Sequence, residues 1–176
     1  MEKKIYIVLS QTGTCFSRAI KFYTKYNYNH CSIALDRDLE ELYSFGRRKL
    51  RLPLPAGFVK EDIDSGIYKM YKNTTCRVYE LEVTEEEYDE VKAIIEDFKK
   101  EGNKYKYSLL GVLAIMLHIP YNRRYHFVCS QFVAYVLKEG KIVHFEKDVS
   151  LIKPEDFDSL EKGQVVYSGL LRKYAV

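Results

Sequence analysis

The chain has 176 residues, 47% hydrophobic and 30% charged, with a net charge of +3. That length suits one domain, large enough to bury a core without metal or disulfide staples. The even charge balance excludes a disordered chain and gives no basis for a nucleic-acid partner.

The first element in chain order is Lys3–Ser10, KKIYIVLS, a β-rich run that predicts a strand. Its apolar stretch is shorter than the ~7–15 residues of a secretory h-region, so a cytoplasmic location is expected. SQTGT breaks the strand and lacks the lysine of a phosphate loop. Phe16, Ala19, Ile20 and Tyr23 then fall on one helical face, with Thr12 or Thr14 as the cap. NHCSIALDRDLEELYSFG predicts a hairpin, His30–Leu35 out and Glu41–Phe45 back.

Residues 47–66 hold two prolines and two glycines among basic residues, and read as a long loop or a strand with an excursion. YKMYKNTTCRVYELEV predicts one or two strands with a turn at 72–74. The capping box Thr84-x-x-Glu87 opens a helix whose stripe is Tyr88, Val91, Ile94, Ile95 and Phe98, ended by Gly102. Ser108–His118 is apolar nearly all round, which predicts a buried helix stopped by Pro120, and it is far short of the ~20 residues of a membrane span. Val128–Lys138 is the next helix, followed by a short helical turn at Pro154 and a last strand in GQVVYSGLL. The order β-α-β-β-(β)-β-α-α-α-β is an α+β plan: a mainly antiparallel sheet packed by helices, in a single domain spanning 1–176.

Four cysteines, Cys15, Cys31, Cys76 and Cys129, show neither a C-x-x-C pair nor zinc spacing. Free thiols are expected, with no metal and no cofactor. Cys129 stands in the first turn of its helix, where unpaired backbone N–H groups and the helix dipole lower a thiol pKa and can hold an oxyanion. A cysteine hydrolase also needs a histidine to carry the proton and a polar group to orient it. His30, at a strand start beside Asn27 and Asn29, is the candidate. Cys31 follows it and points to the opposite face, as core. Cys15 shares the helix-start argument, Cys76 reads as packing, and His118 and His144 need no function. The basic stretches RRKLRLPLP and NRRYHF read first as solvated edges and second as the lining of a site for an anionic group.

NYNHCSIALD early, HFVCSQFVAYVL late and then KDVSLIKPEDF together resemble the circularly permuted branch of the NlpC/P60 superfamily. The resemblance implies a papain-like fold in which the histidine strand precedes the cysteine helix. It casts Cys129 as nucleophile and His30 as general base and acid. It also places a third polar residue about a dozen positions after the histidine, in EELYSFG. Ser44 is nearest that place; Glu41 and Tyr43 stay open, because hairpin register decides which faces His30. The oxyanion would meet the Cys129 N–H, with Gln11, Thr14, Ser130 and His126 as further candidates for oxyanion or substrate contact.

The expected activity is cleavage of an amide, peptide-like bond, or a related ester or thioester, through a Cys129 acyl-enzyme. One alternative resembles lecithin–retinol acyltransferase, passing an acyl group from a lipid. Another is a non-catalytic binding module. The expected partner is a small peptide-like or acyl-lipid substrate, with no nucleic acid and no stable membrane insertion.

Overall fold

The computed structural model describes residues 2–13, 22, 25–49 and 55–174. Of the expected helix near 16–23 only Phe22 is among them; the rest, with Thr14 and Cys15, lies outside.

Six strands form one antiparallel sheet: β1 (Lys3–Gln11), β2 (His30–Ala34), β3 (Leu42–Arg47), β4 (Ala56–Glu61), β5 (Thr75–Val83) and β8 (Gly163–Leu170). Their spatial order is β4-β3-β2-β1-β5-β8. The class is therefore α+β with a mostly antiparallel sheet. β1 lies at its centre because it pairs along its whole length with β5, from Lys3–Val83 to Gln11–Thr75, and with β2 from Tyr6–Ala34 to Ser10–His30. Both faces of this strand are buried, so its apolar run shows no alternation.

Among the described residues four α-helical segments longer than one turn accompany the sheet: α1 (Gly66–Met70), α2 (Glu85–Lys100), α3 (Leu109–Met116) and α4 (Cys129–Glu139). The box that opens α2 is closed at both ends: Glu87 N–H donates to Thr84 Oγ1 at 3.1 Å, and Thr84 N–H to Glu87 Oε2 at 2.8 Å. Val91, Ile95 and Phe98 of α2 and Phe132, Val133, Val136 and Leu137 of α4 cover one sheet face, on Ile5, Ile7, Leu9, Cys31, Ile33, Tyr43 and Phe45. Phe45, Phe58, Phe98, Phe127 and Phe132 meet there ring to ring at 5.1–6.1 Å between centroids, a cluster that ties β3 and β4 to both helices. The other face carries Tyr6, Val8, Ala34, Leu42, Cys76 and Val78 under Tyr68 of α1 and Leu171.

Of the two readings of residues 47–66 the strand holds: they contain β4, an edge strand paired with β3 from Leu42–Glu61 to Arg47–Ala56. Two expectations change. Tyr68–Met70, expected in a strand, belongs to α1, and one strand, β5, follows. Helix α3 is present but not buried: Gly111 alone of its residues is buried, while Leu110, Leu113 and Leu117 are 57%, 54% and 67% exposed. Its glycine gives the reason. A Cβ at Gly111 would stand 2.8 Å from Ser108 Oγ and 3.6 Å from Val128, so the helix touches the fold along a narrow line and turns its leucines outward. A two-stranded parallel pair, β6 (Lys106–Tyr107) and β7 (His126–Phe127), brackets α3.

Candidate active site

Strand alternation gathers a polar group on the second sheet face. His30 and Ser32 of β2, Ser44 of β3 and Glu61 of β4 share that face with Leu42 and Ala34. The Glu61 side chain is nearly buried and takes four donors. Its Oε1 accepts from His30 Nε2 at 2.8 Å and Ser44 Oγ at 2.8 Å; its Oε2 accepts from Ser32 Oγ at 2.6 Å and the Tyr68 hydroxyl at 3.0 Å. A buried carboxylate is tolerable only when its lone pairs are met in this way.

Cys129 opens α4 beside β2. The first intrahelical bond is Phe132 N–H to Val128 C=O, so the amides of the first turn are free for other partners. The helix start is pinned by its own side chains. Ser130 Oγ donates to Ile152 O at 2.6 Å, Gln131 Nε2 donates to Ser150 O at 2.8 Å, and Val128 N–H donates to Gln131 Oε1 at 3.0 Å. The β2–β3 ladder ends at Ile33–Tyr43, although both strands run on. Beyond that point the Cys31 backbone N–H turns to the Cys129 sulfur, as does that of Ser130.

His30 joins the two halves: its Nε2 stands 2.8 Å from Glu61 Oε1, and Cys129 on the other side acts on its charge. Burial alone would lower the His30 pKa, but the Glu61 charge and the bonds to Cys129 and Glu61 raise it well above 6.5. Burial alone would raise the Cys129 thiol. The His30 bond and charge, with the Cys31 and Ser130 amides, bring it below 9.0. Burial likewise works against the Glu61 charge, and His30, Ser32 and Ser44 outweigh it, so its pKa falls below 4.5. The arrangement favours a thiolate–imidazolium–carboxylate row. The other described cysteines go the opposite way: burial pushes Cys31 well up and Cys76 up to about 12. Tyr107 of β6 also bonds Cys129, and its phenol is pushed well above 10 by burial and the cysteine's charge, so it stays a hydrogen-bond donor.

The structure brings His30 and Cys129 together and sets Ser44 one step away, on Glu61 rather than on His30. The carboxylate on His30 belongs to Glu61, where the reading favoured Ser44. Glu41 is taken up by Lys60 and the Tyr43 hydroxyl, and Tyr43 stacks on Phe58 inside the core. Ser130 spends its side chain on Ile152, leaving its amide for Cys129. His126 bonds the Arg124 carbonyl through Nδ1 at 2.9 Å. Gln11 ends β1 with its side-chain oxygen buried and without a described partner; Thr14 is outside the described residues. Sequence reasoning missed Glu61, Tyr107 and Tyr68. The signal for Glu61 was the alternation Gly57-Val59-Glu61 within a stretch read as a long loop or a strand with an excursion, which returns a carboxylate to the face of Ser32 and Ser44.

Among the described residues, no three or more His, Cys, Asp or Glu side chains gather as a metal site, and no helix is long and apolar enough to cross a membrane. Comparison with family models, curated proteins and solved structures returned no match to this chain.

Proposed function

We propose that the chain is a thiol hydrolase of the permuted NlpC/P60 type, with a papain-like fold, Cys129 as nucleophile, His30 as acid and base, and Glu61 holding His30. The observation that carries this reading is the row Cys129–His30–Glu61, in which His30 Nε2 stands 2.8 Å from Glu61 Oε1 and Cys129, buried at its helix start, alone of the described cysteines has its pKa lowered, through its interaction with His30. The order supports it too: a histidine strand first and a cysteine helix late, as the resemblance implies.

The chemistry follows from the placement. The Cys129 thiolate attacks a carbonyl carbon of an amide, ester or thioester, and the carbonyl π pair moves onto oxygen. The Cys129 N–H at the helix start, with the Tyr107 phenol, is positioned to meet that oxyanion. Collapse of the intermediate expels the leaving group, which takes the proton from the His30 imidazolium. An S-acyl Cys129 remains. Water then attacks it and gives a proton to His30, and acid and thiolate are released. Glu61 stays ionised and keeps the imidazolium oriented, the role a buried carboxylate has in such triads.

Acyl lipid as the substrate is a second reading, favoured by the exposed leucines of α3 beside Val128. The non-catalytic alternative draws no support from an imidazole held at 2.8 Å from a carboxylate.

An activated ester tests the proposal without knowledge of the natural substrate. Para-nitrophenyl acetate gives a burst of nitrophenol and an acetyl group on Cys129 by peptide mass spectrometry, and both vanish in Cys129→Ala and His30→Ala. No burst and no adduct in the folded wild-type chain would sink the assignment.

A further inference from the structure

Helix α3 is a short apolar element that the fold leaves facing solvent. Leu109, Leu110, Leu113, Leu117 and Ile119 are all exposed, over a helix of eight residues, about 12 Å of axis. An apolar ridge of this kind marks a binding surface. The backbone holds it deliberately: the helix ends with His118 at φ 57°, and Ile119 N–H closes onto Ala114 O at 2.9 Å. That turn carries Ile119 out alongside the leucines.

The charge around the ridge decides what covers it. From Gly102 to Lys138 the sequence has no Asp or Glu, in a chain that has 25 of them. The cations in that stretch flank α3. Lys106 precedes it in β6, and Arg123 and Arg124 follow it, exposed. β6 and β7 pair, Lys106 against His126, and Arg123 bridges to His126, so the His126 backbone links the segments that carry the cations from both ends of α3. Arg124 lies 4.7 Å from the Tyr125 ring centre, and Tyr125 stands on Tyr105. Apolar side chains, interfacial tyrosines and a rim rich in cations, with Asp148 beside Asn122 as a carboxylate at its edge, suit an anionic lipid surface. A second copy of the chain would bring the same cations against these, which disfavours self-association through the ridge.

We propose that α3 and its basic rim dock the protein on an anionic lipid bilayer, the leucines entering the headgroup boundary and Lys106, Arg123 and Arg124 meeting lipid phosphates. The docking holds whether or not Cys129 is a nucleophile. Ser108 N–H bonds Phe127 O at 2.9 Å and Gly111 lies against Val128, so docking also brings the start of α4 to the surface.

Flotation of the full chain with vesicles tests it, with Cys129→Ala as the background so that turnover plays no part. Phosphatidylcholine vesicles containing phosphatidylglycerol carry the protein up the gradient. Pure phosphatidylcholine binds about tenfold less or weaker still, and high salt releases the protein. Leu113→Glu with Leu117→Glu abolishes flotation, and Arg123→Glu with Arg124→Glu removes the preference for anionic lipid. Both doublets are at exposed positions, and unchanged circular dichroism confirms folding; the comparison of the two vesicle types in the unsubstituted ridge needs no variant. Absence of flotation, flotation indifferent to the leucines, or binding blind to lipid charge would overturn the proposal. So would a dimer by light scattering that Leu113→Glu with Leu117→Glu dissociates while vesicles stay bare.

Discussion

Three protonation states at one site depend on one another. The Glu61 charge raises the His30 pKa, and the interaction with His30 lowers that of Cys129. Glu61→Gln keeps the shape and removes the charge. The Cys129 pKa then moves up toward or past 9.0, and iodoacetamide labelling of Cys129 below pH 7, fast in wild type, slows; rates read by mass spectrometry across pH check this. Labelling that ignores both Glu61→Gln and His30→Ala would leave Cys129 a packed thiol. Stability carries the same signature. The Glu61 pKa is lowered in the folded state, so its contribution is full above the unfolded value near 4.5 and is lost as pH falls through the lower folded value. His30 is raised, so its contribution is full below 6.5 and is lost as pH rises through its folded pKa. Glu61→Ala, which strands four donors, is expected to cost about 3 kcal/mol at neutral pH, and urea titrations at pH 7 and pH 3 should show the difference shrinking in acid.

At the residue scale, legibility followed local chemistry. A cysteine at a helix start and a histidine at a strand start can be picked out of a sequence. Glu61 could not be, because its partner is 31 residues away and the contact exists only once β4 pairs with β3. The same hairpin hands Glu41 to Lys60 and Tyr43 instead.

Elements divide by how they are held. α2 carries its start signal, stripe and charge order in consecutive residues, and it forms where the sequence places it. Thr84→Ala removes the cap and is expected to cost about 1 kcal/mol, seen as a lower melting temperature with the Cys129 pH profile unchanged. Ser130→Ala is expected to cost a similar amount, since the Ser130 hydroxyl ties α4 to Ile152; because the Ser130 contribution to Cys129 is its amide, the labelling profile should again hold. A collapse of low-pH labelling in Ser130→Ala would show the hydroxyl acting on the sulfur. α3 is the opposite case. Its composition reads as core, and composition cannot tell a helix surrounded by protein from one held on a single edge by Gly111.

For the whole molecule, the sheet sets where the site is rigid. β1 is paired on both sides and buried on both faces, while β4 and β8 are edges. Hydrogen exchange should therefore find the slowest amides in β1 and its partners β2 and β5, and the fastest strand amides in β8, none of whose residues is buried. His30 then stands on the stable centre, and Glu61 on an edge strand fastened to it by the aromatic cluster. Equal protection in β8 and β1 would contradict that gradient.

Legible from the residues alone is whatever acts over a turn of helix or a stretch of strand: the α+β plan, the capped α2, the hairpin of His30–Leu35 and Glu41–Phe45, and the placing of Cys129 in the first turn of a helix. Periodicity and capping are interactions among near neighbours, so they survive without coordinates. Only the tertiary structure decided that Glu61 reaches His30, that Cys31 turns its amide to the Cys129 sulfur where the β2–β3 ladder ends, and that α3 faces out. Each depends on strand register and on what lies across a gap, and both arise from the packing of residues distant along the chain.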